Sequence, residues 1–142
     1  MDRIYRTGLV FLMLVLFSCG SGTAQKSISL DPEDFEKKQM QKADAILLDV
    51  RTTEEFSERH LKGAVNIDIR SSDFNSRVGR MDKSSPVYVY CLSGGRSAAA
   101  AQILVDMGFE EVYEMNGGIS RWLAENRPVE IGNFNPNQGM TQ

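Results

Sequence analysis

Groups able to do chemistry are concentrated in one segment, Val89-Tyr90-Cys91-Leu92-Ser93-Gly94-Gly95-Arg96-Ser97. A thiol follows a β-like run, two glycines make the connection short and pliable, a cation follows, and a helix-like run comes next. Glycines let such a loop curl so that successive backbone N–H groups point to its centre. The helix adds its unpaired first-turn N–H groups and its positive dipole end at the same spot. Arg96 adds a permanent positive charge nearby. All three favour the anion. A free thiol titrates near about 8.5, and helix N-termini with neighbouring cations bring such groups to about 3.5–7.5. The expectation is a nucleophilic Cys91 thiolate in a cradle of amides from Leu92, Ser93, Gly94, Gly95, Arg96 and Ser97. Taken singly, these residues read as a buried inert cysteine, a turn and a surface cation. The combination points to reactivity.

The elements around this loop must hold it at the end of a strand. Ser27 to Leu30 predicts a brief first strand. Asp31-Pro32 predicts a helix start, with Asp as N-cap and Pro at the first helical position, running through Phe35, Lys38 and Met40. Ala45 to Val50 is a short apolar run, as expected of a buried parallel strand. Thr53 is expected to cap a short helix carrying Phe56. Ala64 to Ile67 predicts a strand, and Ser72 to Met81 a helix with Phe74 and Val78 four apart. A turn at Lys83 to Pro86 precedes the clearest strand, Val87 to Tyr90. Ser97 to Met107 predicts an Ala-rich helix ended by Gly108, with Ala100, Ile103, Leu104 and Met107 on one stripe. Glu111 to Glu114 predicts a last strand, and Gly117-Gly118 opens a helix through Trp122. Strands alternating with helices imply a layered α/β fold with a mainly parallel sheet. Ligands bind such sheets where loops leave the carboxyl ends of strands, which is where Cys91 falls.

The front of the chain reads differently. Arg3 and Arg6 precede an unbroken apolar run, Leu9 to Phe17, followed by Ser18-Cys19-Gly20. Nine residues at a rise of about 1.5 Å span about 14 Å, half of a hydrocarbon core of about 30 Å. These are the parts of a secretory signal. Leu16-Phe17-Ser18-Cys19 resembles a bacterial lipobox, although Phe17 is bulkier than the usual residue there. The expectation is a signal peptide over residues 1–18, acylation of Cys19, and a tether over 19–26. A domain over 27–130 and a flexible tail over 131–142 complete the chain. Ordinary cleavage after Gly22-Thr23-Ala24 is the alternative and would give a soluble periplasmic protein. Either way Cys91 becomes the lone thiol of an exported chain, a pattern that flags reactivity.

Three stretches in register resemble the rhodanese-like domain family of sulfurtransferases. They are Leu47-Leu48-Asp49-Val50-Arg51 with Glu55-Phe56, then His60-Leu61-Lys62-Gly63-Ala64-Val65-Asn66, and the loop Cys91 to Ser97. The resemblance spans about residues 27 to 130. It implies a three-layer sandwich: a mainly parallel five-stranded sheet with helices on both faces. It also implies that Cys91 takes sulfane sulfur from a donor such as thiosulfate or polysulfide. The cysteine would hold it as a persulfide and pass it to a thiol, a thioredoxin-like protein or cyanide. Asp49, Arg51 and Glu55 would brace the loops through ion pairs, and His60 would be a structural hydrogen-bonding residue rather than half of a Cys–His protease pair.

Two departures shape the specificity expected. Many relatives that prefer thiosulfate carry a basic residue directly after the cysteine, and here Leu92 stands there. Cysteine phosphatases place Arg six positions after Cys, whereas Arg96 comes one residue earlier, which favours a sulfur-sized anion over phosphate. The balance of 16 basic against 19 acidic residues, net charge −3, offers no basic face for nucleic acid. No metal or organic cofactor is expected, because one cysteine and one histidine do not make a metal site. The expected setting is the bacterial cell envelope, with the lipid anchor holding the domain at a membrane facing the periplasm. A non-catalytic persulfide carrier or redox-relay module of the same envelope is the alternative function.

Overall fold

Val87-Tyr88-Val89-Tyr90 is buried along its whole length, and such a run requires a cover on each face of the sheet. A computed structural model, which describes residues 26–132, shows both covers. The strands are β1 (Ile28–Leu30), β2 (Ile46–Asp49), β3 (Val65–Asn66), β4 (Val87–Tyr90) and β5 (Val112–Met115). The helices are α1 (Pro32–Met40), α2 (Thr53–Glu58), α3 (Phe74–Val78), α4 (Gly95–Asp106) and α5 (Gly118–Ala124). The strands form one sheet in the order β1-β5-β4-β2-β3, and every pairing is parallel.

Side chains alternate along each strand, and this separates two cores. Val87 and Val89 point into a cluster with Leu48, Val78, Ala100 and Leu104. Tyr88 and Tyr90 point the other way, against Phe35, Leu61, Met115 and Trp122. Continuing the alternation puts Cys91 in the first cluster, under α4. β2 leads outward to β3 on one side while β4 leads to β5 on the other. Their adjacent carboxyl ends are therefore a switch point of the sheet, the usual place for a ligand crevice.

Several expected boundaries shift for local reasons. α2 is capped by Thr52, not Thr53. The Glu55 amide donates to Thr52 Oγ1 (3.2 Å) and the Thr52 amide donates to Glu55 Oε2 (3.1 Å), a reciprocal box that Thr53 has no Glu to complete. Asp31 occupies the position before α1 without capping it, because its carboxylate is engaged by Arg121 and Asn116. α3 is shorter than Ser72 to Met81. Residues 68–74 are tied into turns by Ser71 and Phe74 amides, and Arg80 and Met81 donate to carbonyls only three residues back. α4 starts at Gly95, so Arg96 and Ser97 belong to its first turn, and its buried stripe is Ser97, Ala100, Ala101 and Leu104. The stretch expected to be tail is still attached at its start, where the Gly132 amide donates to the Ser57 carbonyl (3.0 Å). The expected signal peptide, Cys19, nearly all of the tether and residues 133–142 lie outside the described residues.

A buried ion pair closes the carboxyl end of β2. Arg51 and Asp49 are 3% and 0% exposed. Arg51 Nη2 donates to Asp49 Oδ2 (2.6 Å) and to the Arg59 carbonyl (2.7 Å), and Nε donates to Asp49 Oδ1 (3.0 Å). Asn66 Nδ2 ties the same segment to β3 by donating to the Asp49 and Arg51 carbonyls. Breaking one half of such a pair strands a charge in the interior. Asp49→Ala is expected to cost about 3–5 kcal/mol in urea unfolding, and Asp49→Leu combined with Arg51→Met to recover most of that loss.

Candidate active site

Cys91 leaves β4 and enters a loop that turns back at once into α4. The turn needs Gly94, whose φ of +114° lies where L side chains are strained. The Cys91 residue is only 1% exposed. Its sulfur accepts the Gly94 N–H at 3.1 Å and lies 3.4 Å from Ser97 Oγ. Burial opposes ionisation of the thiol. Hydrogen bonds from the Ser97 hydroxyl and from the Ser97, Gly94 and Ser93 amides outweigh that opposition, so the thiol sits below its ordinary value. Ser93 and Gly95 are exposed around it, and Leu92, 44% exposed, stands beside it at the surface.

The other side of the loop is pinned by α5. The Ile119 and Ser120 amides donate to the Cys91 and Leu92 carbonyls at 2.9 and 3.0 Å. Gly118 makes this approach possible, since a Cβ there would lie 2.5 Å from both carbonyl oxygens. The amides of the loop are thus free to face inward because its carbonyls are held outward.

Arg96 does not direct its charge at the sulfur alone, as its sequence position suggested. Its guanidinium clamps Glu55 with two bonds of 2.7 Å. Hydrogen bonding to Arg96 holds the Glu55 carboxyl down at about 2, and Glu55 in turn raises Arg96. Since Glu55 also completes the cap of α2, it joins the N-termini of two helices across the crevice. Asp49 and Arg51 pair with each other beneath it. His60 stands apart: its Nδ1 is 2.9 Å from the Phe56 carbonyl and its ring stacks on Phe56 at 3.9 Å. No hydrogen bond joins His60 to Cys91 among the described residues, so a Cys–His protease pair has no geometric basis here.

Three supporting residues escaped the sequence reading. Glu114 on β5 receives hydrogen bonds from Ser97 Oγ (2.8 Å) and Ser29 Oγ (3.0 Å), and Gly118 carries the contact described above. Ser29 and Glu114 lie 85 residues apart in the chain, too far for any local pattern to pair them. Only the Gly117-Gly118 doublet carried a signal, and it read as a helix start.

Comparison with known proteins gives a consistent picture. The sequence profile described as rhodanese-like domain matches residues 31–125. The thiosulfate sulfurtransferase GlpE of Glaesserella parasuis is 37% identical over 93 residues, covering 66% of this chain and 84% of that protein. A rhodanese-related protein from Thermoplasma volcanium superposes with a TM-score of 0.64 at 28% identity, covering 73% of this chain and 98% of its own. The polysulfide-sulfur transferase homodimer from Wolinella succinogenes gives a TM-score of 0.64 at 25% identity, covering 79% and 84%.

The Glu55–Arg96 clamp has a pH signature. Glu55 ionises more readily folded than unfolded, so the clamp stabilises above the ordinary carboxyl value of 4.5 and its contribution is lost as pH falls toward about 2. Glu55→Gln is expected to melt earlier than the parent above that range and to converge with it at the acid end. Thermal melts at both extremes provide the check. Gly118→Ala is expected to displace the loop and slow alkylation of Cys91 severalfold, measured with iodoacetamide.

Proposed function

The chain belongs to the rhodanese-like domain family, and on that premise we propose that it transfers sulfane sulfur through a persulfide on Cys91. The observation that carries this reading is the sulfur seated among the inward amides of Ser93, Gly94 and Ser97. The Cys91 thiolate attacks the outer sulfur of a donor. A new S–S bond forms, the bond to the rest of the donor breaks, and the departing group (sulfite, from thiosulfate) keeps the electron pair. The persulfide is anionic, and the same amides that favoured the thiolate receive its charge. An acceptor nucleophile, a thiol or cyanide, then attacks the outer sulfur and releases the Cys91 thiolate. This is covalent catalysis in two displacement steps.

The donor is a small sulfur-bearing anion. The name of the relative from Glaesserella parasuis supports thiosulfate, and that of the solved protein from Wolinella succinogenes supports polysulfide. Leu92 offers no positive charge to a sulfonate and leaves an apolar rim beside the loop, which favours polysulfide as the donor and a protein-borne thiol as the acceptor. For the cell envelope we propose a lipid anchor on Cys19, supported by the sequence at residues 1–24. Intact mass of membrane-extracted protein is expected to show an acylated chain beginning at Cys19, and a chain beginning at Gln25 overturns the anchor.

Protein exposed to thiosulfate or polysulfide is expected to gain one sulfur atom on Cys91 by mass spectrometry, and Cys91→Ser to gain none. Steady-state assays with several donors and with cyanide or a thiol are expected to show multiple turnovers. A single stoichiometric transfer would replace the enzyme with a persulfide carrier.

A further inference from the structure

The turn that delivers α5 to the Cys91 loop carries a reactive dipeptide of its own. Asn116-Gly117, the only Asn–Gly pair in the sequence, connects the end of β5 to the start of α5. Such a pair is chemically unstable for a steric reason. Glycine has no side chain to keep the preceding carboxamide away from the backbone nitrogen that follows it. Asn116 is exposed and Gly117 half-buried. The Gly117 N–H makes no hydrogen bond among the described residues. One surface bond restrains the carboxamide: Asn116 Nδ2 donates to Asp31 Oδ1 at 3.2 Å, the long end of the usual range.

A bulkier residue at 117 would slow the reaction, and the fold opposes one. Gly117 has a φ of +77°, and a Cβ there would lie 2.8 Å from Arg121 Cβ. The pair also stands where a change of backbone length matters. The Asn116 amide donates to the Leu30 carbonyl at 2.8 Å, which seats the turn against the end of β1. Gly118 follows, packed against the Cys91 and Leu92 carbonyls, and then come Ile119 and Ser120, whose amides hold those carbonyls outward.

We propose that Asn116 is a site of spontaneous deamidation, and that its isoaspartate product frees the Cys91 loop from α5. The Gly117 nitrogen gives up its proton and attacks Asn116 Cγ. A new N–C bond closes a succinimide ring, the Cγ–Nδ2 bond breaks, and Nδ2 leaves as ammonia. Water then opens the ring. Attack at Cγ gives aspartate. Attack at the backbone carbonyl carbon gives isoaspartate, in which the chain runs through the former side chain and is longer by its carbon. Nothing is oxidised or reduced. Either product sets a carboxylate where Nδ2 met Asp31, so an attraction becomes a repulsion. The lengthened backbone also moves Ile119 and Ser120 away from the carbonyls they hold, and the amides that favour the sulfur anion lose their orientation. The proposal concerns the seating of the loop and is independent of sulfur transfer.

The test ages the full chain under reductant in heavy-oxygen water, in mildly alkaline and mildly acidic buffers. Peptide mass spectrometry reads heavy oxygen at residue 116, and isoaspartyl methyltransferase labelling separates isoaspartate from aspartate. Anion exchange resolves molecules that carry the added negative charge, and iodoacetamide alkylation is timed in both fractions on the Cys91 peptide. Because the attacking nitrogen must lose a proton, label at 116 is expected to run well ahead in the alkaline sample. Isoaspartate is expected as the larger product, with alkylation of Cys91 severalfold slower in the converted fraction. Asn116→Gln, whose longer side chain closes a ring far more slowly, is expected to keep its alkylation rate through the same ageing. Absence of label at 116 under conditions that label the same peptide in urea overturns the proposal. Equal alkylation in the two fractions does so too, as does a matching loss in a folded Asn116→Gln. Should Asn116→Gln fail to fold, the two fractions of the parent decide. Slowed alkylation in a chain that takes up no sulfur upholds this proposal and removes the transferase reading.

Discussion

Favouring the anion of a sulfur held below the protein surface is the constraint on which the rest of this structure turns. Burial opposes the anion, and only hydrogen-bond donors brought in from several directions reverse that opposition. Each donor depends on a different part of the fold. The Gly94 amide depends on a left-handed glycine, the Ser97 amide and hydroxyl on where α4 begins, and the inward facing of the whole loop on α5 holding its carbonyls. Seen this way, the sheet order matters for chemistry. Placing β5 beside β4 brings Gly118 against the loop, and placing β2 on the other side brings Glu55 to Arg96.

The electrostatics are layered by depth. Deepest is the Asp49–Arg51 pair, nearly dry and fixed to the backbone of two neighbouring segments. Above it, at the crevice wall, the Glu55–Arg96 clamp is partly solvated and binds two helix starts together. Arg96 therefore contributes less to the sulfur as a bare charge than as a brace. At the sulfur itself the Ser97 hydroxyl and the fixed amides of Ser97, Gly94 and Ser93 do the work, and they need no counter-ion that a departing anion would have to displace.

Much of this was legible in the sequence, for identifiable reasons. β2 and β4 are continuous apolar runs because both faces of the sheet are covered, and that pattern is local. The Cys91 loop is legible because strand, glycines, cation and helix lie within nine consecutive residues. Thr52 and Thr53 offer the same hydroxyl as a cap, and only the Glu three places after Thr52 distinguishes them. α3 is shorter than the helical spacing of Phe74 and Val78 implies, because the turns on either side depend on hydrogen bonds that composition does not display. Glu114 read only as the end of a strand. Its meaning comes from Ser29 and Ser97, which reach it from a different strand and a helix, and contacts over such separations leave no periodic trace.

Because all five strands run the same way, the molecule has two unlike ends. The chain enters at Ile28, where β1 begins, so whatever precedes it joins the sheet at the amino ends of the strands. Cys91 emerges at the opposite end, a strand length away, which for four residues at about 3.3 Å each is about 13 Å. The Cys91 rim thus lies at the end of the sheet opposite to the one where the described chain begins.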